Sequence, residues 1–399
     1  MARPHLLTRR ATLLGLTAAM TVRGASLAFA DAPTDRRFVV VILRGALDGL
    51  AAVVPYGDGS LEGMRGGLVP RRPGEPDGLL DLGGFYGLHP ALSGLHAMYA
   101  AGEALPVHAV SNGTGTRSHF VAQDRLELGS LHDDGSITSG WLNRVARLLK
   151  RPAKASETAL AVGPSLPLLL RGPTPVGTWM PPGGPHGDAG FYATLAAMYA
   201  TDPTTGPAIR VALQERGFSA AALAGMAPLP NRGAFPALCA AAGKLLAAPA
   251  GPRLAALEVE GWDTHAHQMQ RLPPALRTLD AGMVALKGGL GPAWQQTAVL
   301  IVTEFGRTVR INGTQGTDHG TAGVAFVLGG SVAGGRVAGT WPGLAPAKLF
   351  ENRDLHPTAD LRSVAKGLLA EHLGLPGGAL EKAFPDSAGM SPMRGLLRA

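Results

Sequence analysis

Two segments of the chain are unbroken apolar runs rich in β-branched residues: 38–44 (FVVVILR), which stops at Gly45, and 297–303 (TAVLIVT). Continuous runs of this length mark strands buried on both faces, as in parallel sheets. Segments 104–110 (ALPVHAV), 254–259 and 323–330 predict further strands, and 158–171 reads as a strand-pair region. Between them the apolar spacing becomes helical over 89–102, from Ser118 onward through SHFVAQDRLELG, over 191–226, around Cys239, over 275–290 and over 357–373. Strands alternating with helices at this spacing predict βαβ units and an α/β fold with a central, mostly parallel sheet flanked by helices. Segments 58–87 and 172–190, rich in Gly and Pro, read as loop insertions in a single domain spanning 31–399.

Polar residues gather just past the strand ends, where ligands collect in open α/β folds. The strand in RLAALEVEGWDTHAHQ breaks at Gly261 and is followed at once by Asp263, His265 and His267. Asp263 and His267 are four apart and would share a face on a helical turn. A carboxylate with imidazoles suits zinc, manganese or iron better than calcium. The same stretch also reads as a polar loop in which Trp262 packs and the histidines face water, and spacing alone leaves both readings open. Asp48 follows the first strand, Ser118 opens a helix after the second, Glu304 follows TAVLIVT, and Asp318 with His319 precedes the 323–330 strand. Singly, Ser118 could be an N-cap, Glu304 a partner of Arg307, and Asp48 a turn residue. Their fall on one edge of one sheet is what points to a site.

The first thirty residues carry Thr8-Arg9-Arg10-Ala11-Thr12-Leu13-Leu14, a short apolar stretch and Ala28-Phe29-Ala30. This is the pattern of a twin-arginine signal peptide with a small-x-small cleavage site, and it predicts a periplasmic or secreted protein. The apolar stretch is too short to span a bilayer. Without Arg3, Arg9, Arg10 and Arg23 the chain holds 32 basic against 29 acidic residues. That balance implies neither nucleic acid nor an anionic membrane as partner. Cys239 is the sole cysteine, so no internal disulfide can form, and its apolar surroundings suit a buried, inert thiol. Gly113-x-Gly115 lacks the third glycine of a dinucleotide loop, and Gly115-Thr116-Arg117-Ser118-His119 lacks the second glycine of a serine-hydrolase elbow.

Several segments together, FVVVILRGALDGL, TRSHFVAQDRLELG, GWDTHAHQ, TEFGRT, TDHGTAGVAFVLGG and DLHPTADLRSV, resemble the exported family called domain of unknown function 1501. That family is similar to the alkaline phosphatase and sulfatase superfamily. The resemblance implies an alkaline-phosphatase-like three-layer fold and a metal-dependent hydrolase of phosphate- or sulfate-type esters. It implies one metal on Asp263, His267 and His319, in the Asp-x-x-x-His and later-His positions. Asp48 and Ser118 resemble the first ligand and the nucleophile of a second metal. The Asp-His pair completing that second set is replaced by Glu304-Phe305, with Asp318 or His119 as substitutes, so one ion, zinc or manganese, is favoured over two. His265 is a further candidate ligand. Arg117 and Arg44 are candidate clamps for the anionic oxygens of a small ester substrate. No C/S-x-P-x-R run of formylglycine sulfatases is present. The alternative is a non-catalytic exported binding or assembly protein on the same scaffold, with another exported protein as partner.

Overall fold

A computed structural model describes residues 35–398, apart from 114, 132–134, 150–157, 182–188, 203–205, 207–208, 210–216 and 226–233. The signal-peptide expectation for 1–30 lies outside the described residues. The strands are β1 (Arg37–Arg44), β2 (Val53–Val54), β3 (Leu80–Asp81), β4 (Gly87–Leu88), β5 (Ala104–Ser111), β6 (Ala159–Val162), β7 (Gly177–Trp179), β8 (Leu254–Glu260), β9 (Thr297–Thr303), β10 (Gly323–Leu328) and β11 (Ala359–Asp360). Eight form the central sheet in the order β11-β5-β10-β9-β1-β8-β6-β7. All pair in parallel except β10, which is antiparallel to both β5 and β9. A parallel return from β9 would need a crossover element, usually a helix. Segment 304–322 contains no helix, and the chain doubles back.

The continuous apolar runs have the expected cause. In β1, Val39, Val41 and Leu43 enter one core while Phe38, Val40 and Ile42 enter the other. Strand β9 divides likewise, Val299 and Ile301 on one face, Ala298, Leu300 and Val302 on the opposite one. Helices α1 (Phe235–Ala247) and α2 (Gln268–Leu290) contribute to the first core. Helices α3 (Trp141–Leu148), α4 (Leu361–Glu371) and α5 (Gly377–Ala383) contribute to the second, giving helix, sheet and helix layers. Ile301 is fully buried between β1 and β10. Ile301→Ala is expected to cost about 2–5 kcal/mol, read from urea denaturation.

Two boundaries differ from the sequence reading. Helix α2 begins at Gln268 rather than 275 and runs through Pro273 and Pro274. Segment 172–190 is not all loop, since it supplies the edge strand β7. In segment 58–87, β3 and β4 join β2 in a small antiparallel sheet. That segment is pinned by Arg65, a buried side chain that pairs with Asp48 and donates to the carbonyls of Val309 and Thr308.

Candidate metal centre

Because the other strands run together, the carboxyl ends of β5, β1, β8 and β9 share an edge. The amino end of reversed β10 meets them there. After β8 the backbone is non-helical to Gln268, and successive side chains alternate as on a strand. Trp262 and Thr264 turn inward and are fully buried, while Asp263 and His265 reach the edge. After β5, the loop from Asn112 delivers His119 as the first residue of the helix His119–Leu128. The segment before β10 delivers His319.

Four side chains converge. His319 Nε2 lies 3.0 Å from His119 Nε2 and 2.8 Å from His265 Nε2. Asp263 Oδ1 is 3.1 Å from His265 Nε2, 3.4 Å from His319 Nε2 and 3.5 Å from His119 Nε2. The ligand atoms of His119, Asp263 and His319 all lie within 4.8 Å of one another.

Each ring is held by its other nitrogen. His119 Nδ1 is 2.7 Å from Glu304 Oε1, His319 Nδ1 is 2.7 Å from the Arg117 carbonyl, and His265 Nδ1 is 3.3 Å from Asp318 Oδ1. Carbonyls and ionised carboxylates only accept, so the 2.7 Å contacts place protons on Nδ1 of His119 and His319 and turn the Nε2 lone pairs of these two rings inward, while His265 has a carboxylate against each nitrogen. The Nε2 lone pairs of His119 and His319, 3.0 Å apart, repel unless a cation or an added proton stands between them. Ligands on a tetrahedral zinc ion, 2.0–2.1 Å from the metal, stand about 3.3 Å apart, close to the 3.0, 3.4 and 3.5 Å among His119, His319 and Asp263. His119, His319 and Asp263, with orienting acceptors behind the two rings, therefore fit a zinc- or manganese-type ion, and His265 adjoins them through His319 and Asp263.

The electrostatics agree. Burial alone would raise the Asp263 carboxyl, but Arg307, His265 and His119 outweigh it and hold it below the usual carboxylate range. Glu304 is fully buried, which would also raise it. Hydrogen bonds from His119, Gln123 and the Gly45 N–H bring it down to about 2 instead. The Glu304 contact raises His119, whereas burial lowers His319.

The other sequence candidates lie as follows. His267 is exposed at the N-cap of α2 with φ of 50°, outside the group. The shared helical face expected for Asp263 and His267 does not form, because the helix starts only after His267. Asp48 is not in the group either. It is fully buried, and its oxygens accept from Leu50 N–H, Arg65 and the Gln268 amide. Glu304 and Asp318 stand behind His119 and His265 as orienting acceptors. Ser118 is exposed immediately before His119, and its side chain makes no capping bond to the helix. Arg117 pairs with Asp354 and Glu351, and Arg44 with Glu127 and Glu258. Phe305, where the resemblance reserves a ligand, packs against the rings of His119 at 4.9 Å and His319 at 5.0 Å.

Sequence reasoning offered Arg307 only as a partner of Glu304, whereas it pairs with Asp263. It is buried, and Nη2 donates to Asp263 Oδ1 at 2.6 Å and to the Gly45 and Trp262 carbonyls. Nε donates to Ala46 and Nη1 to Thr317. One guanidinium thus ties together the turns after β1 and β8 and the segment leading to His319. The only signal was TEFGRT, an arginine three residues past a strand-end carboxylate.

A model of the family described as protein of unknown function (DUF1501) matches residues 119–383, well over half of the chain and all four residues of the group. This chain belongs to the DUF1501 family. The DUF1501 protein is similar to a solved structure of a protein in the alkaline phosphatase superfamily from Vibrio parahaemolyticus. Identity is 11% and the TM-score 0.35, covering 83% of this chain and 71% of that one. It is also similar to a putative sulfatase from Bacteroides thetaiotaomicron, at 9% identity and TM-score 0.28, covering 75% of this chain and 65% of the other. No curated protein matches.

Proposed function

We propose that this protein is a single-ion hydrolase of phosphate- or sulfate-type esters, acting outside the cytoplasm after twin-arginine export. His119, His265, His319 and Asp263 hold the ion. The observation carrying this reading is the approach of His119 Nε2, His319 Nε2 and Asp263 Oδ1 to one another, with His265 Nε2 beside them and the rings of His119 and His319 fixed from behind. A bound zinc or manganese ion would supply Lewis acidity toward an ester oxygen. Glu304 and the Arg117 carbonyl keep the Nδ1 protons of His119 and His319 in place, so these rings stay aimed, and Asp318 braces His265. Arg307 holds Asp263 ionised and oriented. Ser118, exposed beside His119, offers the nucleophilic hydroxyl. Among the described residues no helix is long and apolar enough to cross a membrane.

The test is metal analysis of the purified protein together with turnover of aryl phosphates and sulfates. About one equivalent of transition metal per chain is expected, and stripping it with a chelator should abolish hydrolysis. Ser118→Ala is expected to retain the ion and lose about a hundredfold or more in turnover. Protein that takes up no ion, or equal turnover in the variant, would refute these assignments. Phe305 favours a second reading, a non-catalytic binding protein on this scaffold. Ion-loaded protein inert toward every aryl ester tried would establish that instead.

A further inference from the structure

The arginines around the ion-binding group are already answered by acids. Arg44 faces Glu127 and Glu258, Arg117 faces Glu351 and Asp354, and Arg307 is buried against Asp263. Asp263 and Asp318 remain about half exposed at the edge, at 47% and 50%. A dianion brought to the ion would meet these carboxylates, and like charges so placed are costly. Arg353, 40% exposed beside the group, shares Asp354 with Arg117 through a longer contact of 3.8 Å from its Nε, and its Nη2 donates to the His319 carbonyl at 2.9 Å. Apolar surface adjoins His119 in the helix. Phe120, the residue after His119, is 85% exposed, and Val121 is 37% exposed.

Building on the metal-hydrolase reading, we infer that the site selects singly charged tetrahedral oxoesters bearing an apolar group. Sulfate monoesters and phosphate diesters share that chemistry, and dianionic phosphate monoesters lack it. Phe120 is the platform for the apolar group, and Arg353 faces the single charge. Both are specificity-determining residues, and neither is a ligand.

The experiment uses the full chain loaded with zinc and calorimetric binding of inert probes at pH 8. A zinc titration alone comes first, so that failure of the metal reading is seen separately. Phenyl sulfate and diphenyl phosphate, one for each source of the charge, are then compared with phenyl phosphate. The singly charged probes are expected to bind at least tenfold tighter than phenyl phosphate. Phe120→Ala should weaken phenyl sulfate about five- to tenfold and leave methyl sulfate unchanged. Arg353→Met should weaken phenyl sulfate and methyl sulfate alike, with zinc affinity kept. Zinc binding accompanied by tighter phenyl phosphate, by no anion binding, or by an unaltered Phe120→Ala profile would overturn the inference while leaving the metal centre standing.

Discussion

His319→Ala is expected to bind zinc or manganese at least about a hundredfold more weakly than the unmodified chain, and His267→Ala to bind it equally well. His319 Nε2 is the atom that both His119 Nε2 and His265 Nε2 approach, at 3.0 and 2.8 Å. Removing it takes away one of four donors and the point around which two others are arranged. His265→Ala should behave like His319→Ala. Glu304→Gln keeps the ligand but weakens its orientation, and a loss of about 10–100-fold is expected there. Binding should also weaken as pH falls, since protons compete for the same lone pairs and the Glu304 contact favours the protonated His119. Isothermal titration of the metal-stripped proteins decides the matter. A full-strength site in His319→Ala, or a lost one in His267→Ala, would show that the ion sits elsewhere.

Arg307→Met is expected to destabilise the ion-free protein by at least about 3 kcal/mol, because the lost guanidinium is buried and each buried acceptor left without a donor costs about 1–3 kcal/mol. The deletion leaves Asp263 without its cation and strips hydrogen bonds from the carbonyls of Gly45, Ala46, Trp262 and Thr317. Urea unfolding of the stripped variant measures this loss directly. Adding zinc should restore part of the stability, because the ion replaces the missing positive charge at Asp263. A variant that loses less than about 1 kcal/mol would mean that the loops hold their positions without the guanidinium.

The layered α/β architecture was legible because runs such as FVVVILR and TAVLIVT carry their burial in every residue. The gathering of candidate residues at one sheet edge was legible for the same reason, since it needs only strand ends and direction. The partners were not. Choosing between His265 and His267 depends on whether the backbone after Gly261 is extended or helical, and a two-residue period and a four-residue period both fit DTHAH. The reversal of β10 depends on segment 304–322 lacking a crossover helix. The roles of Asp48 and Glu304 were hidden for another reason. Two acids placed alike after neighbouring strands part company through residues distant in sequence: Arg65 captures one and His119 the other.

The donors also have a thermodynamic consequence, because they come from stretches as far apart as His119 and His319, 200 positions distant along the chain. They meet only through the completed strand order, so no fragment lacking any of these strands presents all four. Uptake of an ion by the proposed site would thus be coupled to closure of the entire sheet. At a hundredfold excess over its dissociation constant, the ion adds about 2.7 kcal/mol to the native state as a whole. A substitution deep in either core, far from any imidazole, should therefore reveal itself as a chelator-sensitive melting temperature.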